Sequence, residues 1–221
     1  DYGMLVHHVL EEFVRQLPPV WPDDAEAFFW SLTDSQLARW RHYPVQQAYA
    51  RAQLTRLAEW IIPLERARRA DGTRMEVELT WRHVWEAPGG AFTLTARLDR
   101  LEKHPDGQVT PVDYKSGKLP SKKQILAHQS AQLPLIGWMA GDALRGLEFW
   151  HLQADNVEKG VVPLDAIAKE HLATLCAEAG VAVQTLIAEY DAPESRYVAH
   201  YPPNAFADDY AHLARVGEWE N

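Results

Sequence analysis

Leu5, Val6, Val9, Leu10, Phe13, Val14 and Leu17 recur at helical spacing and predict an amphipathic helix over residues 3–17, stopped by the Pro18-Pro19 pair. A second helix is expected over about 24–41 and a third over about 45–69, interrupted near Pro63. The period then shortens to two. Met75, Val77, Leu79 and Trp81 alternate with Glu76, Glu78 and Thr80, the pattern of a half-buried strand. Two further strands are expected over 92–103 and 109–115. His104-Pro105-Asp106-Gly107 between them is turn chemistry and predicts an antiparallel hairpin. A helix follows over 130–144, with Ser130 as its N-cap and Pro134 in its first turn. A strand over 147–153, a long helix over about 164–190 and a last helical stretch over 206–219 complete the chain. This order predicts an α/β or α+β fold, a small mixed sheet flanked by helices, of which α/β is the leading expectation.

The 221 residues are expected to form one domain, residues 1–221. Its parts would be a helical section to residue 72, a sheet and helix over 73–155, and C-terminal helices over 156–221. A chain opening on Asp1 is expected to be a piece of a longer protein. No run approaches the ~18 unbroken apolar residues of a membrane span, and no signal peptide opens the chain, so no membrane partner is expected. The single cysteine, Cys176, excludes an internal disulfide and any cluster held by several thiolates. It suits a cytoplasmic location. Of the nine Trp, Trp81, Trp138 and Trp150 are expected in the core.

A net charge of −9 argues at first against a nucleic-acid partner. The distribution reverses that. From Arg97 to Lys123 there are seven Lys or Arg against four Asp or Glu, a local +3, which leaves −12 on the remainder. Asp113 and Lys115 lie two apart on one strand and leave the same face. With a three- to five-residue turn, cross-strand partners on the hairpin sum to about 211 or 212, so Asp99 falls opposite Asp113 or one residue off. Directly opposed side chains sit ~5 Å apart, and like charges there destabilise the pair. A divalent cation between them answers that repulsion, and hard oxygen ligands suit Mg²⁺ or Mn²⁺. Lys115 beside it would orient the attacking water or stabilise a phosphoryl transition state. His7 borders the apolar stripe of the first helix and could reach the sheet as a neutral ligand. Gln132 shares a helical face with Ile136 and Met139 and is expected to be buried towards the sheet, on substrate, on a site carboxylate, or in helix packing with backbone partners. Glu76 or Glu78 could add a carboxylate from the first strand, and Glu65 and Glu11 are weaker candidates.

These residues in this order resemble the RecB-family nuclease domain of the PD-(D/E)XK superfamily. The matching stretches are Gly3-Met-Leu-Val-His7-His-Val-Leu10-Glu11, Asp99-Arg100, Asp113-Tyr114-Lys115-Ser116-Gly117 and Gln132-Leu-Pro-Leu135. The tail from Tyr210 to Trp219 looks like the C-terminal end of proteobacterial AddB proteins, subunits of a helicase–nuclease acting in double-strand break repair. The resemblance implies a restriction-endonuclease-like core with extra terminal helices. It implies metal ligation by His7, Asp99, Asp113 and the main-chain carbonyl of Tyr114, catalysis by Lys115, and DNA positioning by Gln132. Arg97, Arg100, Ser116, Lys118, Lys122 and Lys123 would touch DNA. Mg²⁺, replaceable by Mn²⁺, is the implied cofactor, and an AddA-like helicase–nuclease subunit the implied partner. Two departures stand out. The family Tyr four residues after the glutamine is Ile136 in this chain, and one cysteine cannot build the iron–sulfur cluster of some relatives.

The leading expectation is a metal-dependent DNA exonuclease. The alternatives are a catalytically silent nuclease-fold module that braces a helicase and binds DNA, and a metal-dependent hydrolase of small phosphoesters.

Overall fold

The computed structural model describes residues 2–169 and 171–195. Three helices come first: α1 (Tyr2–Gln16), α2 (Ala25–Leu37), extended by a 3-10 turn over Ala38–Trp40, and α3 (Pro44–Ala70). β1 (Arg74–Ala87), β2 (Gly90–Lys103) and β3 (Val109–Lys115) follow, then α4 (Lys122–Leu126) and α5 (Gln132–Ala140). β4 (Glu148–His151), α6 (Val157–Gly160), β5 (Val161–Pro163), α7 (Leu164–Ala168) and α8 (Leu172–Asp191) close the described chain. The sheet order is β1-β2-β3-β4-β5. β3 and β4 run parallel and every other neighbouring pair antiparallel, so the expected mixed α/β sheet is present. The helix expected over 206–219, with the tail motif inside it, lies outside the described residues.

The centre of the sheet, from the last residues of β2 through β3 and β4, is buried on both faces. On one face, Val6, Val9, Leu10 and Phe13 of α1 meet Phe29 of α2, Leu54, Leu57 and Ile61 of α3, and Val112, Tyr114 and Trp150 of the sheet. On the other, Leu98, Leu101 and Phe149 pack on Ile125, Leu133, Ile136, Leu164 and Leu175. Each such side chain contributes about 1.5–3 kcal/mol when fully buried. Trp150 lies in the first cluster, while Trp81 and Trp138 are partly buried against the second.

Several boundaries differ from the sequence reading. α3 passes through Pro63 without interruption. Pro63 and Glu59, whose carbonyl the proline leaves without its usual donor, are both exposed, a position at which the missing bond costs least. α5 is capped by Ala131, with no side-chain bond, and not by Ser130. The long helix expected over 164–190 is two helices, broken at Lys169, which is left-handed at φ +59. β5 adds a strand in the part expected to be purely helical. α8 is long and apolar enough to cross a membrane by length and composition alone. Its first half is a core element that buries Leu175, Cys176, Ala179 and Gly180. Two glycines allow that helix to approach α5 closely. A Cβ on Gly137 would stand 2.5 Å from Cys176 Sγ, and one on Gly180 2.5 Å from the Trp138 ring.

The β2–β3 ladder runs from Lys103↔Val109 to Arg100↔Val112, every pair summing to 212. β3 then continues to Lys115, while β2 continues away from it, paired with β1 alone. The next pair in that register would be Asp99 with Asp113. The ladder therefore ends where the candidate chemistry begins.

Candidate active site at the end of the central strand

Where backbone pairing stops, the Asp99 side chain continues the connection. Its Oδ2 accepts from the Tyr114 amide at 2.8 Å, so a carboxylate replaces the next ladder acceptor. Its Oδ1 lies 3.9 Å from His7 Nδ1. α1 delivers His7 to this point because its apolar face is buried against the sheet, and the imidazole meets the Tyr114 ring edge-on at 5.5 Å between centroids. Both His7 and Asp99 keep partial solvent access, with side chains 31% and 21% exposed, enough for a substrate to reach them.

Asp113 and Lys115 leave the same face of β3, as their spacing requires. Lys115 Nζ lies 2.7 Å from Asp113 Oδ2. The contact is a close ion pair, and the buried Oδ2 has no other donor. Burial pushes the Asp113 carboxyl above its ordinary value, Lys115 pulls it back, and the nearby Asp99 charge raises it again. Asp113 thus feels Asp99 and His7 electrostatically across the end of the sheet. The four groups fall into two contacts, His7 with Asp99 and Asp113 with Lys115. Among the described residues no three His, Cys, Asp or Glu side chains are gathered as a ready-made metal cluster. The donor set nevertheless suits a hard divalent cation. Two carboxylates feel each other's charge, one has a buried oxygen met by the Lys115 ammonium and by no other donor, and an imidazole stands beside them.

The expected DNA contacts divide. Lys118, Lys122 and Lys123 are exposed on the loop and short helix after β3, and Ser116 is half-buried at the end of that strand. Arg97 is exposed and paired with Glu78. Arg100 cannot touch DNA. It is completely buried, ion-paired to Glu65 and Glu102, and its guanidinium carbon sits 4.4 Å from the Trp150 ring centroid. Burial alone would lower its pKa, but Glu65, Tyr114 and Glu102 together hold it well above the usual value. Arg68 continues the network to Glu102 and Glu148, and Trp150 Nε1 donates to Glu148 at 2.9 Å. This buried chain of charges stands under the strand ends and joins α3, β2 and β4.

Gln132 is not buried as expected but exposed. The helix begins at Gln132 itself, so the side chain sits at the open mouth of α5, while Leu133, Pro134 and Ile136 form the buried face. Glu65, a weak ligand candidate, is the buried partner of Arg100. Glu11 pairs with Arg15, and Glu76 lies 2.6 Å from Lys103. Glu78 is held by Arg97.

Three features escaped the sequence reading: the Tyr114 amide as the anchor of Asp99, the buried network under Arg100, and the backbone of Glu78, left-handed at φ +56 inside a strand. A signal for the last existed. Leu98 and Leu101 are both buried in one cluster although three positions apart, a spacing that a regular strand cannot place on one face.

The sequence profile of the PD-(D/E)XK nuclease superfamily matches residues 1–214. No curated protein matches the chain. A solved structure titled "Crystal structure of SSO0001" is similar over 82% of this chain and 84% of its own, at 14% identity and a TM-score of 0.32, a likeness too slight to support any conclusion.

Proposed function

Because the chain belongs to the PD-(D/E)XK nuclease superfamily, we propose that it is a metal-dependent DNA exonuclease domain serving double-strand break repair by recombination. The observation that carries the reading is the convergence of His7, Asp99, Asp113 and Lys115 on the point where β2 and β3 part. His7, Asp99, Asp113 and the main-chain carbonyl of Tyr114 would hold Mg²⁺, for which Mn²⁺ could substitute. When bound, the ion supplies Lewis-acid polarisation of a phosphodiester oxygen and charge neutralisation.

The chain's own residues do the rest. Asp99, fixed through the Tyr114 amide, has one oxygen committed to the backbone and the other turned towards His7. Asp113 places its buried oxygen under the Lys115 ammonium. Lys115, about one-third exposed, is the cation that can leave Asp113 for an incoming water or for a phosphoryl oxygen. Water adds to phosphorus, one P–O ester bond breaks, and the water's proton passes to the departing alkoxide or to solvent. A phosphate monoester and an alcohol remain. Lys118, Lys122 and Lys123, with no carboxylate partner among the described residues, supply the non-specific attraction for the DNA backbone. The AddB-like tail supports an AddA-like helicase–nuclease subunit as partner, and the cytoplasm is the proposed compartment.

The two-by-two pairing of the site favours a second reading, a silent nuclease-fold module that binds DNA and braces a helicase. Mg²⁺-dependent degradation of linear DNA separates the two. Asp113→Ala and Lys115→Ala are each expected to abolish it with the circular dichroism spectrum unchanged. Full activity in the Asp113→Ala protein would end the exonuclease reading.

A further inference from the structure

The β1–β2 ladder keeps one register from Arg74↔Lys103 to Ala87↔Gly90, and one partnership within it is missing, Glu78 with Asp99. The pairs on either side, Val77↔Arg100 and Leu79↔Leu98, are formed. Glu78 stands at φ +56, a conformation rare outside glycine, asparagine and aspartate and foreign to an extended strand. Its effect shows in what the neighbouring side chains face. Leu79 and Leu98 pack into the cluster beneath α5, while Arg100 points to Glu65 of α3 and to Trp150 on the opposite face. Positions two apart on a regular strand share a face. Leu98 and Arg100 are two apart and do not, so both strands turn over at Glu78 and Asp99.

Asp99 sits at that turnover. In an unbroken pleat Leu98 and Arg100 would share one face and Asp99 would take the other. The turnover releases its carboxylate to take the Tyr114 amide and to approach His7. The Glu78 carboxylate, 17% exposed, is already engaged by Arg97 and is not free for a cation. We propose that Glu78 is a positioning residue: its left-handed backbone aims the Asp99 carboxylate at the metal site. The inference rests on the nuclease reading, which gives Asp99 a cation to hold.

The test compares Glu78→Gly, Glu78→Asn, Glu78→Ala and Glu78→Val in the full 221-residue chain. All four remove the charge, and they differ in how readily they adopt positive φ. The readouts are Mn²⁺ affinity by calorimetry and the melting temperature of the metal-free protein. The glycine, asparagine and alanine variants should bind Mn²⁺ within about threefold of wild type, alanine because its Cβ meets the same crowding at positive φ as that of glutamate, while valine weakens it by about tenfold or more, the scale of a lost ligand-orienting contact. Glu78→Thr, β-branched like valine, repeats that arm should the valine variant not fold. A purely structural role would lower the melting temperature and leave affinity unmoved, which overturns the proposal. So would equal affinity in all four variants, because loss of charge alone would then explain the result. Absence of Mn²⁺ binding by the wild-type protein would instead defeat the metal reading of the site, and this inference with it.

Discussion

Replacing Arg100 with methionine would delete a cation enclosed between Glu65, Glu102 and the face of Trp150. Methionine retains much of the apolar stem, so the change falls mainly on charge. Glu102 would keep Arg68. Glu65, 1% exposed, would keep Arg69 alone, whose Nε is 3.7 Å from Oε2 and makes no hydrogen bond there. The consequence is a buried carboxylate without an adequate partner. Breaking a buried pair from one side costs about 3–5 kcal/mol, and a desolvated cation–π contact adds up to ~2 kcal/mol. A loss near 4 kcal/mol is a large share of the ~5–15 kcal/mol that holds a domain together. For a chain of this size it lowers the melting temperature by roughly 8–16 °C. The double variant Arg100→Met with Glu65→Leu removes both charges, and most of the loss should return, since apolar replacement of a whole buried pair is often neutral. Thermal and urea unfolding followed by circular dichroism read both proteins. A single variant melting within ~2 °C of wild type, or a double variant no more stable than the single, would refute the argument. A DNA-binding salt slope reduced by about one unit in the single variant would restore Arg100 as a phosphate contact.

Other consequences follow from the same structure. Replacing Lys118, Lys122 and Lys123 together with alanine should flatten the dependence of log K on log salt for duplex DNA by about 2–3, at ~0.9 per neutralised phosphate. An unchanged slope removes these lysines from the interface. The Asp113 carboxyl is raised in the fold above the ordinary 3.8, so between the two values the native state holds more protons than the unfolded chain, and stability falls as pH rises through that window. Metal-free Asp113→Asn should therefore melt higher than wild type at pH 7, by about 2–4 °C for each kcal/mol relieved. The difference should close as pH falls below 3.8, and a variant melting lower at pH 7 would reverse the sign of the argument. Gly137→Ala forces a methyl group onto Cys176 and Leu147 and should cost about 1–3 kcal/mol in urea unfolding. A neutral result would mean that α5 and α8 separate freely.

The central hairpin was legible because its information is local. Turn residues set the register, and the Asp-Tyr-Lys strand spans Val109–Lys115 as expected. β1 runs on to Ala87, past the alternation read from Met75 to Trp81, and His83 and Trp85 extend the same period. α4, α6, β5 and α7 are too short to show a period, although Ser121 and Gln124 form a complete capping box at the start of α4. Arg100 and Gln132 were misplaced for different reasons. Burial of Arg100 is decided by Glu65 on α3, far away in sequence, whereas exposure of Gln132 follows from α5 starting at that residue, two positions after the expected cap at Ser130. The left-handed backbone of Glu78 has no cue in its own residue type.

The central claim is that His7, Asp99, Asp113 and the Tyr114 carbonyl share one divalent ion beside Lys115. Crystals soaked in Mn²⁺ and measured at the manganese absorption edge test it directly. The account predicts one strong anomalous peak at the parting of β2 and β3, about 2–2.3 Å from oxygens of both aspartates and from a nitrogen of His7. An Asp113–Lys115 ion pair left intact, with no peak at that point, would contradict it.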